Sequence, residues 1–329
     1  MPSACCNGAP TAESRAIAMK LPAALRLSPR WAPYVFISPF LILFGIFGLF
    51  PLLFSLTLAF QSWEPTSGLA AMEFVGLDNF VFALQDEWFW KSLRNTGWLA
   101  VASGVPQHLV AIPLAVFIHN AFKRSRNAVV GAYFLPYITS TVAIAILFSS
   151  LFSTDYGLIN QALLSLGQVP GLGWLMPDAP IDWMGRAENI KPAVSMIVFW
   201  RYVGFNVVLY LAALQTIPAD LYEAATMDGA GKWQQFWSIT LPSLKPMIFF
   251  GVTLSVIGGL QLFEEPFILT QGRGGSDQAG MTTAIYLYRM AFDFNDFGAA
   301  SAMSWLLFIV VVVLTWATNR AFRPRGSAD

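Results

Sequence analysis

The chain has 329 residues, of which 56% are hydrophobic and only 12% charged, with acids and bases in balance and a mean hydropathy of +0.57. Soluble domains carry about 25% charged residues, so a water-facing globule of this size is excluded. The zero net charge says little about the chain, because what matters is where the charges sit, and no nucleic-acid partner is expected.

The first 18 residues are Ala-rich and lack apolar periodicity, and residues 1–30 read as a cytoplasmic tail, expected to be disordered. Cys5 and Cys6 are adjacent and have no third cysteine to pair with, so they read as incidental. Met19 is a plausible alternative start. A bilayer core of roughly 30 Å needs about 20 apolar helical residues. Spans of that kind fall at about 34–60, 96–122, 128–152, 192–214, 247–269 and 298–318. The first holds no charge and is too long for a signal peptide. Its Pro39 and Pro51 are tolerated where neighbours re-satisfy the freed carbonyls. The predicted fold is all-α: a polytopic membrane protein with six transmembrane helices and a cytoplasmic tail at 321–329.

Orientation follows from Lys and Arg placement. With the N-terminus inside, the inner segments hold Arg15, Lys20, Arg26, Arg30, Lys123, Arg124, Arg126, Lys232, Lys245, Arg320, Arg323 and Arg325. The outer segments hold most of the acids, among them Asp86, Glu87, Asp178, Asp182, Asp293 and Asp296. Both termini are therefore expected in the cytoplasm.

The inner segment Ile217–Pro246 is the informative loop. Pro218 suits the first turn of a helix, and Asp220 and Glu223 fall where acids favour the helix dipole. Ala224 and Ala225 are small enough for another surface to approach, and Asp228-Gly229 is a stop-and-turn pair. Beyond it, Trp233, Phe236 and Trp237 recur on one face of a second short helix that ends at Leu241-Pro242. Periodicity leaves two readings open: a knob that docks into a soluble partner, or an amphipathic connector lying on lipid headgroups.

The string Glu223-Ala224-Ala225, Asp228-Gly229-Ala230, Phe236, Ile239 and Leu241-Pro242 resembles, in residues and spacing, the EAA motif of bacterial ABC importer permeases. In that family the loop is a coupling helix seated in a cleft of the ATP-binding subunit, which favours docking. Further strings resemble the sugar-importer branch around the maltose-type permeases: FPLLFSLTLAFQSW in the first span, FVGLDNF at Phe74–Phe80, FLPYITS at Phe134–Ser140, TDYGLIN at Thr154–Asn160, LFEEPFILT at Leu262–Thr270 and DFGAASAMS at Asp296–Ser304. The resemblance covers about 31–320 and implies a MetI-like transmembrane domain in the bacterial inner membrane. It also implies a second, different permease, a pair of ATP-binding subunits and an extracytoplasmic sugar-binding protein as partners. The chain is expected to be a compact six-span version, without the extra N-terminal spans and large periplasmic insertion of the larger maltose-type permease.

No GxxxxGK[ST] loop occurs; Gly229-Ala230-Gly231-Lys232 is followed by Trp233. The chain is expected to bind no cofactor itself, with ATP-Mg on the partner subunits. His108 and His119 lack carboxylates or cysteines at ligand spacing, so no metal site is expected, and no catalytic constellation appears. Within the spans, Arg201 is an intramembrane charge and thus a functional candidate, or else part of a structural ion pair with an acid, for example on the partner permease. Tyr202 and Asn206 share a helix face with each other, and Ser255, Gly259 and Gln261 offer small or hydrogen-bonding groups in the fifth span. In maltose-type permeases the sugar site uses these two helices, and of its groups only Ser255 matches here. Glu264 and Glu265 read as facing water or the binding protein, or as pathway groups. The alternative function is an ion-driven secondary transporter, which needs embedded acids and paired broken helices; a non-transporting membrane scaffold or sensor is the third reading.

Overall fold

The computed structural model describes residues 30–122, 124–171 and 173–322. Cys5, Cys6, Met19, nearly all of the expected N-terminal tail and residues 323–329 lie outside the described residues. The chain divides into two compact units, residues 1–54 and 55–329.

The charge-free helix α1 runs Ala32–Leu58 and supplies the described part of the first unit. A wide π-turn at Gly45–Leu49, closed by the Phe50 N–H on the Gly45 carbonyl, lies just ahead of Pro51. A proline ring clashes with the carbonyl four residues back and offers it no N–H, and one extra residue in the turn carries that carbonyl aside.

After α1 comes a two-stranded antiparallel ribbon in the second unit, β1 (Gln61–Ser62) and β2 (Glu73–Phe74), paired Gln61 to Phe74 and Ser62 to Glu73. The short helix α2 spans Asp78–Gln85. Helix α3 then runs Glu87–Ala121, beginning nine residues before the expected span because the Asp86 carboxylate caps its start by accepting from the Trp88 N–H.

The expected third span is two helices, α4 (Arg126–Ile138) and α5 (Thr141–Leu151), bent by 91°. Thr139 and Ser140 adopt extended backbone. The Thr139 N–H and hydroxyl both close on the Leu135 carbonyl, at 3.1 and 2.7 Å, so the helix end is satisfied without continuing. After α6 (Leu158–Gly167), helix α7 runs Ala187–Leu214, followed by α8 (Ala219–Met227) and α9 (Lys232–Gln235). A second π-turn, Phe236–Thr240, precedes Pro242 and leads into α10 (Leu241–Leu260). The expected fifth span is also interrupted: Gln261–Phe263 leave the helix, and α11 (Glu264–Leu269) starts afresh with Pro266 in its first turn, where the missing N–H costs nothing. Helices α12 (Thr283–Phe292) and α13 (Phe297–Phe322) are the last among the described residues. Among the described residues, five helices are long and apolar enough to cross a membrane, and six when the bent pair counts as one span.

Small residues let the bundle close. Ala111 and Ala115 of α3 are fully buried against Val207, Tyr210 and Leu211 of α7 and Leu244 of α10. At Gly204 a Cβ would run into the Tyr133 carbonyl, so the contact of α7 with α4 exists only because that side chain is absent. A separate core of Phe89, Met281, Ile285, Met290 and Met303 packs the start of α3 against α12 and α13.

Candidate functional site

Two regions gather the chemistry, an elbow between α7 and α10 and a cavity inside the bundle. At the elbow Pro218 is the N-cap of α8 rather than part of its first turn. Gly229 closes the helix at φ +81°, with its N–H on the Thr226 carbonyl and the Ala230 N–H on the Ala225 carbonyl. This is a Schellman-type stop that needs a residue at ease in the left-handed region. Glu223, Ala224, Asp228 and Gly229 are exposed, Ala225 and Ala230 half-buried, and Met227 is 88% exposed at the tip. The Gln235 amide donates to Thr226 Oγ1 at 2.9 Å and to the Ala230 carbonyl at 3.0 Å. The Tyr222 and Thr240 hydroxyls meet at 3.0 Å, fastening α8 to the π-turn. Trp233, Phe236 and Trp237 form one aromatic cluster beside it. Gln235 and the Tyr222–Thr240 contact escape sequence reasoning, since a lone amide or hydroxyl in a loop repeats no pattern.

The cavity has a volume of about 310 Å³ and lies among α3, α4, α7 and α10. Of the pathway candidates, Tyr202, Asn206, Ser255 and Gly259 line it, joined by Ser103, Gln107, Tyr137 and Phe205, which sequence reasoning missed. No Asp, Glu, Lys or Arg is among the lining residues. Tyr137 stacks on Phe205 with ring centroids 4.8 Å apart and meets Tyr202 edge-on at 5.7 Å. Asn206 is 1% exposed; its amide N–H₂ donates to Gln107 Oε1 at 3.2 Å, whereas its Oδ1 is buried without a hydrogen-bond partner. At Gly259 a Cβ would sit 2.8 Å from the Ala100 Cβ, so this glycine also sets how closely α10 approaches α3.

Arg201 and Gln261 do not line the cavity. Gln261 caps the end of α10 and is exposed. Arg201 forms an ion pair within its own chain, with Nη1 2.6 Å from Glu265 Oε1 and 3.9 Å from Glu264 Oε2. Glu264 in turn accepts from the Thr141 hydroxyl, which stands at the first residue after the bend in the third span. This corrects the expectation for Glu265: it is 2% exposed and faces Arg201, neither water nor another protein. Arg201 and Glu265 lie 64 residues apart, and only the restart of the helix at Glu264 brings them together.

Residues 111–325 match the protein family described as "Binding-protein-dependent transport system inner membrane component". The chain is similar to the lactose transport system permease protein LacF of Rhizobium radiobacter, 34% identical over 89% of this chain and 94% of LacF. It is 33% identical to the arabinooligosaccharides transport system permease protein AraP of Bacillus subtilis, over 88% of this chain and 87% of AraP. Among solved structures, a bacterial ABC transporter involved in import of the acidic polysaccharide alginate contains a chain that superposes with a TM-score of 0.74 at 26% identity, over 91% of this chain and 96% of that one.

Proposed function

Because the chain belongs to the binding-protein-dependent inner membrane components of transport systems, a pore-forming permease and no enzyme, we propose that it forms half of the pore of an ATP-driven importer for uncharged sugars. Relatives named for lactose and arabinooligosaccharides support sugar as the cargo. The observation that carries the reading is the cavity: stacked aromatic faces, amides and hydroxyls, no ionised group, and one buried amide oxygen still unbonded. Sugars present apolar ring faces and many hydroxyls, which match such a lining. The carboxylates of an acidic polysaccharide would need a cation there, and Arg201, a neighbour of Tyr202 outside the lining, is already committed to Glu265.

The partners are a second, different permease, a pair of ATP-binding subunits that hold ATP-Mg and hydrolyse it, and the sugar-binding protein. The elbow residues Glu223, Ala224, Ala225, Asp228, Gly229 and Ala230 seat in the ATP-binding subunit on the cytoplasmic side of a bacterial inner membrane, with both termini inside. Closure of that subunit moves the elbow, and the cavity turns from one side of the membrane to the other. Such a cycle works through differential affinity of the two states for sugar. The ion-driven alternative asks for embedded acids free to take up a cation; Glu265 is instead held by Arg201.

The test is uptake by the complete importer in proteoliposomes. ATP inside, with no ion gradient, is expected to accumulate neutral oligosaccharides but no alginate oligosaccharide, and Asn206→Leu is expected to reduce uptake strongly. Accumulation driven by a sodium or proton gradient without ATP would overturn the assignment.

A further inference from the structure

Gly104 and Ser255 line both the cavity and a second, mainly apolar groove of about 480 Å³ among α3, α10 and α13. His108, on the groove side, links two other elements. Its Nδ1 lies 2.6 Å from the Tyr210 hydroxyl and its Nε2 lies 3.0 Å from Ser255 Oγ. The sequence offered no role for this histidine.

The direction of these bonds follows from Tyr210. Its side chain is 0% exposed, and its hydroxyl has no other hydrogen-bond partner among the described residues. Gly251 adjoins the hydroxyl, and a Cβ at that position would stand 2.9 Å from it. A buried O–H left unmade costs more than an unused lone pair, so the phenol donates and His108 Nδ1 accepts. A neutral imidazole then carries its one proton on Nε2, and that N–H donates to Ser255 Oγ. With its oxygen accepting from the ring, the Ser255 O–H must donate elsewhere, and no acceptor among the described residues takes it. Of the two spaces that Ser255 lines, the groove is mainly apolar, and the cavity is the one that holds polar partners such as Gln107 and Asn206.

We infer that His108, set by Tyr210, is a positioning residue that makes Ser255 a hydrogen-bond donor into the cavity. Asn206 Oδ1 supplies an acceptor in the same lining. A donor and an acceptor on facing helices suit a polyhydroxylated, uncharged ligand, since each sugar hydroxyl both gives and takes a hydrogen bond. The inference rests on the cavity being the sugar pathway, and the experiment separates the two.

Histidine-specific ¹⁵N NMR of the full chain in lipid nanodiscs reads the ring directly. The chain has two histidines, so a His119→Gln background leaves His108 alone in the spectrum. The expected spectrum shows the proton on Nε2 and an unprotonated Nδ1; Tyr210→Phe should release that preference and populate the other tautomer. A proton on Nδ1 in the otherwise unaltered chain would overturn the inference. Uptake by the complete importer, probed with lactose and arabinotriose, is the second arm. Ser255→Ala and Tyr210→Phe should each raise the apparent KM about fivefold, roughly one hydrogen bond, with kcat little changed and the double variant no worse than either. If Ser255→Ala leaves KM unchanged while the tautomer is as expected, the cavity is not the pathway and the relay stands alone. If Ser255→Ala raises KM while Tyr210→Phe moves neither KM nor tautomer, the relay fails and the cavity survives.

Discussion

The elbow and the cavity are held in opposite ways. At the elbow the bracing bonds join residues 5, 9 and 18 positions apart, and the key side chains face outward. At the cavity the polar contacts join residues 91, 99 and 147 positions apart, each running from α3 to another helix, α7 or α10. A locally braced element moves as one body, whereas a lining shared by several helices changes shape when they slide. The two regions are also connected, because the elbow joins α7 to α10 and both helices line the cavity. A push on the elbow therefore reaches the cavity through two of its walls at once.

The largest expected effect comes from parting those walls. Gly204→Leu would drive α7 off the Tyr133 carbonyl, and the yield of monodisperse protein after detergent extraction should collapse. Next is Gly229→Asp at the elbow. A non-glycine residue at φ +81° costs only about 1 kcal/mol, so the variant should insert normally, yet uptake should fall to background and ATP hydrolysis should lose its dependence on transport. Normal uptake by this variant would break the proposed division between a lever and a chamber. Glu265→Ala leaves Arg201, whose side chain is only 12% exposed, without its main partner and should destabilise the chain by about 3 kcal/mol in a thermal unfolding series. Arg201→Met combined with Glu265→Leu should recover most of that loss. The smallest effect belongs to Gln235→Ala: removing the clasp on the turn should cost about 1 kcal/mol and slow uptake a few-fold, leaving the apparent KM unchanged. A rise in KM instead would mean that elbow and cavity are not mechanically separate.

The contrast also explains what the sequence could disclose. Pro218, Asp220, Ala224 and Gly229 act within a few residues of one another, so spacing alone reveals the elbow. Hydropathy locates the spans but carries no direction, so the 91° bend at Thr139–Ser140 is invisible to it. The break before Glu264 likewise hides within an apolar run, and with it the partner of Arg201. Tyr202, Asn206 and Ser255 are legible as polar groups in spans, but Gln107, Tyr137 and His108 gain meaning only when distant helices meet.

The Arg201–Glu265 pair has a consequence for energetics across the bilayer. An elementary charge carried through a 100 mV field exchanges about 2.3 kcal/mol with it. Arginine and glutamate fastened together sum to nothing, so a displacement of that pair draws no work from the membrane voltage, while Glu264, the other acid of α11, is exposed. Collapse of that voltage with an ionophore, at constant ATP, should leave the turnover of the importer where it was.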